Sequence, residues 1–257
     1  MTEIRPIATL SAFNAVQCGA ASVEPLAQGW RFCVGPSVTT AYSNAQIDDY
    51  QGVSRSALHW QPPVTLSLRA RFSHPTGELL GTAGFGFWND PFMMSGSRTP
   101  ALPRAVWFFY ASPPSNMQLA HGVPGQGWKA AVIDAQRPLF YFLTPAALVG
   151  IPLMRWRRAY DTLWPLAQTA MGIAEAPVLA NMTEWHTYRL SWAPNLVHFW
   201  VDDTLVLVTT RAPRGPLGLV IWLDNQYMVV TPQGHLRHGL LATPRTQWME
   251  ITDLQVG

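Results

Sequence analysis

The stretch "EWHTYRLSWAPNLVHFWVDD", Glu184 to Asp203, decides the fold. In its first half His186, Tyr188, Leu190 and Trp192 share one face, and Trp185, Thr187, Arg189 and Ser191 share the other. The second half alternates likewise, with Val197, Phe199 and Val201 opposite Leu196, His198 and Trp200. A period of two is the mark of a half-buried β-strand. Pro194-Asn195 supplies turn chemistry between the halves, so the stretch is expected to be a hairpin of two central strands. Asp202-Asp203 then begins the next turn, ahead of "TLVLVTT".

The same texture runs outward from this hairpin. In "VTLSLRARF", Val64, Leu66, Leu68, Ala70 and Phe72 fall on one face and the polar residues on the other. Proline (22) and glycine (19) recur every few residues and bound short runs such as "WRFCVG", "ALHW", "GTAGFGFW", "RAVWFFYA", "GWKAAVID", "LGLVIWLD", "YMVVT" and "WMEITDLQV". Strands joined by turns without intervening helices predict antiparallel sheets closed as a sandwich or barrel, an all-β class. The 257 residues are read as one domain, 1–257, with ample core.

One segment departs from the pattern. From Thr144 to about Gly172 the spacing of Leu153, Trp156, Tyr160, Leu163 and Ala167 is helical. Thr144 before Pro145 reads as an N-cap, and Pro152 and Pro165 should kink or interrupt the run. One or two short helices inserted at 144–172 are therefore expected. They would serve as an edge cover, a lid or a homodimer contact, with a membrane-surface helix anchored by Arg155, Arg157 and Arg158 as the lesser alternative.

Composition narrows the partners. Charged residues make up only 12% of the chain and aromatics another 12%, so much aromatic area must be buried or must face a ligand. A net charge of +2 argues against nucleic acid. Of the basic residues, Lys129 alone is lysine. Two cysteines, Cys18 and Cys33, are no disulfide framework. "PLFYFLTPAALVGIPLM" (138–154), broken by three prolines, falls short of a membrane span, and the N-terminus has no leader pattern. A soluble, cytoplasmic protein is expected.

With these runs in view a family resemblance can be stated. "WHTYRLSWAPNLVHFWVDD", then "LVLV", "LGLVIWLDN" and the closing "WMEITDLQV", resembles the C-terminal half of the laminarinase-type enzymes of glycoside hydrolase family 16. "LSLRARFSHPTGELLGTAGFGFWNDP" is similar to the segment that enters that family's concave face. The resemblance implies a concanavalin A-like jelly-roll β-sandwich of two antiparallel sheets, here with the short helical insertion. In this chain Asp203 stands where the family usually has glycine.

The resemblance also implies a retaining pair of carboxylates on one strand, in the pattern Glu-x-Asp-x-x-Glu. The matching strand here is "LPRAVWFFYASPP", Leu102–Pro114, and it holds no Asp or Glu. Arg104, Val106 and Phe109 would stand roughly where those acids belong. No carboxylate occurs between Asp90 and Asp134. An apolar strand cannot protonate a leaving oxygen or form a glycosyl ester. The expectation is a binding cleft lined by Phe85, Phe87, Trp88, Asn89, Arg104, Trp107, Phe109, Trp222 and Asn225, taking a carbohydrate or another ring-containing small molecule without hydrolysis. The competing expectation is an enzyme with a rearranged site, a divergent hydrolase or lyase or a cyclase acting in an enclosed apolar pocket. Its catalytic candidates are Asp90, His121 and Asp224.

No cofactor is expected. "GFGFW" is followed by no helix and has no G-x-G-x-x-G, "GVPGQGWK" lacks the ordered lysine and hydroxyl of a phosphate loop, and "GHLRHG" (234–239), read as a loop, has too few ligands for zinc.

Overall fold

The computed structural model describes residues 5–6 and 13–257. The strands are β1 (Arg5–Pro6), β2 (Asn14–Cys18), β3 (Ala21–Leu26), β4 (Gly29–Val34), β5 (Asn44–Asp48), β6 (Val64–Phe72), β7 (Thr82–Trp88), β8 (Arg104–Ala111), β9 (Asn116–Met117) and β10 (Gly127–Asp134). Helices α1 (Pro138–Leu143), α2 (Ala147–Leu153) and α3 (Arg157–Ala170) follow. The chain closes with β11 (Ala174–Pro177), β12 (His186–Ala193), β13 (Leu196–Val201), β14 (Thr204–Thr209), β15 (Gly218–Asp224), β16 (Gln226–Val230), β17 (Leu236–Leu240) and β18 (Gln247–Val256).

Two large sheets face each other. One runs β14-β13-β12-β6-β18-β4-β3, with β1 also on β18. The other, of seven strands, runs β11-β10-β8-β7-β15-β5-β2. Pairing within both is antiparallel, and the fold is a concanavalin A-like sandwich. A small third sheet, β17-β16-β9, stands beside them.

The opening stretch behaves as its period demands. Tyr188, Leu190, Trp192, Val197 and Phe199 all lie in the core between the sheets. There they meet Phe85, Phe87, Phe108 and Trp128 from the seven-stranded sheet. The Phe108 ring is 5.1 Å from Tyr188 and 5.2 Å from Phe199, both edge-on, the geometry that adds attraction beyond area burial. The turn after β13 has positive φ at both Asp202 (48°) and Asp203 (64°), the twist-matching backbone of a two-residue hairpin turn. Asp202 is useful there, since its carboxylate accepts the Thr187 N–H at 2.8 Å and pairs with His186 Nδ1. Asp203 bears the conformational cost without such a bond. Asp203→Gly is therefore expected to raise stability by about 0.5–1 kcal/mol, read as a rise of roughly 2–3 °C in Tm.

On the outer side of the larger sheet, Glu250 of β18 lies between Arg31 of β4 and Arg71 of β6. The Nε–H groups of the two arginines donate to different oxygens of the carboxylate at 2.8 and 2.7 Å. Burial pushes the Glu250 carboxyl up, but the bonds from Arg71 and Arg31 outweigh it and hold it below the usual range. Arg71 also lies over the rings of Trp185 and Trp248.

Several expectations are corrected. "ALHW" is not a strand: Arg55–Ala57 form a 3-10 turn and Trp60 makes an isolated bridge to Leu217. "GHLRHG" is not a loop, because Leu236–Leu240 pair with β16. The insertion has three helices and starts at Pro138, which takes the first helical position that proline favours. Thr144 is not an N-cap. It ends α1, and its hydroxyl donates back to the Phe140 carbonyl at 2.9 Å. Among the described residues no helix is long and apolar enough to cross a membrane.

Candidate functional site

The inward positions of the seven-stranded sheet supply half the core, so its outward positions define what that sheet can offer. Strand registers arrange them in rows. One row reads Glu175, Ala131, Trp107, Gly86, Val220, Asp48. The next reads Lys129, Phe109, Gly84, Trp222, Gln46. Ile133, Ala105, Trp88 and Gly218 lie on one side of these, and Ala111, Thr82, Asp224 and Asn44 on the other.

Glycine spacing places the rings. A Cβ on Gly84 would lie 2.7 Å from the Trp222 ring, and one on Gly86 would lie 2.6 Å from Trp107 Cβ. The alternating glycines of "GTAGFGFW" thus make a trough into which large side chains of the neighbouring strands lean. Trp107 is 5.3 Å from both Phe109 and Trp222 and 5.9 Å from Trp88. Trp88, Phe109 and Trp222 are buried, and Trp107 is half-buried. Tyr50, Leu58, Met94 and Ile173 pack around this cluster from loops beyond the sheet. Trp164 of α3 holds one of those loops, its Nε1–H donating to the Leu119 carbonyl at 3.0 Å.

At the Asp224 end the site turns polar. Trp222 Nε1–H donates to Thr82 Oγ1 at 3.0 Å, and that hydroxyl donates to Asp224 Oδ1 at 2.8 Å. The backbone N–H groups of Thr82 and Gln226 bind the same oxygen. Burial raises the Asp224 pKa to about 6 against the lowering effect of these bonds. Beside it, both amide atoms of Asn44 and the Tyr42 hydroxyl are buried without a hydrogen-bond partner among the described residues. Burial and the nearby Asp224 charge push the Tyr42 hydroxyl up. Three polar groups with unmet bonding capacity therefore lie at one end of an aromatic platform, and buried polar groups demand partners.

The raised Asp224 pKa has a testable sign. The folded state takes up the proton at higher pH than the unfolded chain does. Stability is therefore lost as pH rises from about 4 to about 6, by up to about 3 kcal/mol, and is flat above that. Asp224→Asn keeps an oxygen for all three bonds and cannot ionise, so its chemical-denaturation stability should lack this slope relative to the parent.

Of the anticipated site residues, Trp88, Trp107, Phe109 and Trp222 come together. Phe85 and Phe87 do not join them: their parity turns them into the core between the sheets, where both are fully buried. Val106 is a core residue too, so of Arg104, Val106 and Phe109 only Phe109 occupies an outward place on the body of β8. The outward places are Ala105, Trp107, Phe109 and Ala111. Arg104 is half-buried at the strand's start, its Nη1 donating to the Arg214 carbonyl at 2.8 Å, and burial lowers its pKa. Asn89 is a brace, accepting the Arg104 N–H and donating to the Leu102 carbonyl. Asn225 is another, bonded to Ser43, Ala41 and Leu241. The Asp90 carboxylate is taken up by the N–H groups of Met94 and Ser95. His121 meets Asp161 of α3 at 3.1 Å. Asp90, His121 and Asp224 thus share no hydrogen bond.

Three carboxylates in these rows, Asp48, Asp224 and Glu175, are far apart. Asp48 and Asp224 lie on neighbouring strands, displaced by four residues, or about 13 Å at strand rise. Glu175 is five strands from Asp48 in one row, about 24 Å. Glu175 is further engaged by Lys129 Nζ at 3.0 Å. A cavity of about 570 Å³, lined by Asn116, Val229, Thr231, His235 and Arg237, lies on the small sheet and includes none of the aromatic platform.

The residues missed by sequence reading are Tyr42, Asn44, Glu175 and the partnering of Lys129. "NAQID" does alternate, with Asn44, Gln46 and Asp48 against Ala45 and Ile47, but five residues with a polar outer face give little hydrophobic signal.

No protein-family profile and no curated protein sequence matches the chain. Among solved structures it is similar to the Crh5 transglycosylase in complex with NAG, with a TM-score of 0.50 and 12% identity over 96% of this chain and 79% of that one. It is also similar to a GlcNAcα1-4Gal-releasing endo-β-galactosidase from Clostridium perfringens, with a TM-score of 0.48 and 12% identity, covering 98% of this chain and 59% of that one. A third is the carbohydrate recognition domain of Emp47p, with a TM-score of 0.48 and 13% identity over 95% of this chain and 87% of that one. At this identity, what the chain shares with the Crh5 transglycosylase is the fold.

Proposed function

We propose that this protein binds a saccharide on the outer face of the seven-stranded sheet and does not hydrolyse it. One observation carries the reading. Outward positions of β8 hold Trp107 and Phe109 rather than acids, and Trp107 is the platform ring that remains half-buried, braced by three others. A ring so held stacks on a sugar at little entropic cost. Because one protein of this fold is described in complex with NAG, N-acetylglucosamine oligomers head the probe set, followed by β-glucan and galactan oligomers.

Binding should raise Tm and quench tryptophan fluorescence while no reducing ends appear. Trp107→Ala should lower affinity roughly tenfold or more, since an aromatic stacking contact is worth on the order of 1–3 kcal/mol. Reducing ends released by the parent protein would end the non-hydrolytic reading. Silence from every oligomer would end the saccharide reading.

The rival reading, an enzyme with a rearranged site, rests on Asp224. A carboxyl raised to about 6 is an acid poised for proton transfer. Asp48 on the neighbouring strand, about 13 Å away, is too far to be the second carboxylate at 5–9.5 Å that glycoside hydrolysis uses. A turnover reaction abolished by Asp224→Asn, with binding retained, would establish it.

A further inference from the structure

The helical insertion carries eight of the fifteen exposed large apolar side chains among the described residues, and its exposure is unlike that of a packed cover. Helices α1 (PLFYFL) and α2 (ALVGIPL) contain no charged side chain and bury no residue. Phe142 is 80% exposed and Leu148 84%. Tyr141, Val149 and Trp156 are exposed as well. The insertion is anchored by α3, which buries Trp164 and Ala170, and by Met154 at the end of α2. The tip of the β16–β17 hairpin extends the patch, since a Cβ on Gly234 would lie 2.7 Å from Ile151, and Leu236 nearby is exposed. Folding leaves such surface in water only at a cost, so something covers it.

Charge identifies the occupant. No acid occurs between Asp134 and Asp161, while Arg155, Arg157 and Arg158 stand exposed together beside Trp156. Asp161 pairs with Arg157, and among the described residues Arg155 and Arg158 have no ion-pair partner. We infer that this face docks on an anionic lipid surface. Phe142, Leu148 and Val149 enter the acyl boundary, Trp156 and Tyr141 lie at headgroup depth, and the arginines meet lipid phosphates. A second copy suits the face less well, because a two-fold contact would bring both arginine clusters to one dry interface. The helices are too short to span, so the protein would lie on the membrane rather than cross it.

The test is co-sedimentation of the full chain with phosphatidylcholine vesicles, with and without phosphatidylglycerol, alongside its oligomeric state by ultracentrifugation. Binding should require phosphatidylglycerol, weaken at raised salt and shift tryptophan emission to the blue. Phe142→Asp with Leu148→Asp should abolish it without lowering Tm, since neither side chain is buried. Arg155→Gln with Arg158→Gln, which leaves the apolar face intact, should lower partitioning roughly thirtyfold. Equal binding to both vesicle types, no binding to either, or a dimer broken by the Phe142 and Leu148 changes without vesicle binding would each overturn the proposal. None of these outcomes bears on saccharide binding, which uses other residues.

Discussion

Lys129→Met is expected to destabilise the protein by about 3–5 kcal/mol, the usual cost of leaving one charge of a buried pair alone. The ammonium of Lys129 is 1% exposed and the Glu175 side chain 3%. Nζ lies 3.0 Å from Glu175 Oε1 and 3.3 Å from the Pro124 carbonyl, and Glu175 Oε2 accepts the Ala120 N–H. The pair therefore ties β10 and β11 to the loop that flanks the aromatic platform. Removing Lys129 strands a carboxylate, whereas removing both charges does not. Chemical denaturation should show that Lys129→Met with Glu175→Gln is more stable than Lys129→Met alone. A single mutant within 1 kcal/mol of the parent would refute this account of the pair.

Phe108→Ala should cost a similar amount, about 3–5 kcal/mol, for another reason. Phe108 touches the rings of Phe85 and Trp128 in its own sheet and Tyr188 and Phe199 in the facing one. Deleting it opens a cavity where the two sheets interlock, and neighbours in rigid strands collapse into it poorly. For a chain of this size Tm should drop by about 10 °C or more. Phe108→Leu, which keeps most of the volume, should recover over half of that loss. A Phe108→Ala protein that loses less than about 1 kcal/mol would mean that the sheets do not meet there.

What could be read from the residues follows from the length and contrast of their patterns. β6, β12 and β13 alternate apolar with polar or half-exposed residues along their whole length, so their faces were legible. β2, β3, β5, β11 and β17 were not, because they are short and their outward or edge positions carry Asn, Gln, Glu, Pro or His. In "GFGFW" both faces are buried, and alternation alone does not say which face meets the other sheet; Phe85 and Phe87 were misplaced for that reason. Trp107, Phe109 and Trp222 could be nominated because such rings are costly to expose. Asn44 and Tyr42 could not, since their importance lies in bonds they fail to make, which only three-dimensional neighbours reveal. Lys129 stood out as the single lysine among sixteen arginines, yet its burial was invisible. A compact ammonium with three donors suits its pocket better than a planar guanidinium would.

The alternation of glycine with tryptophan across β7 and its neighbours makes each ring and the bare backbone beneath it a single heritable unit. Enlarging Gly84 would evict the Trp222 ring and would also set a Cβ 2.3 Å from the Phe108 carbonyl oxygen, so trimming Trp222 cannot make room for it and would only leave a hollow. The platform is thus pinned across the sheet: a lineage can change the molecule it accepts by altering the rings themselves, but not by moving their bulk onto the glycines beneath.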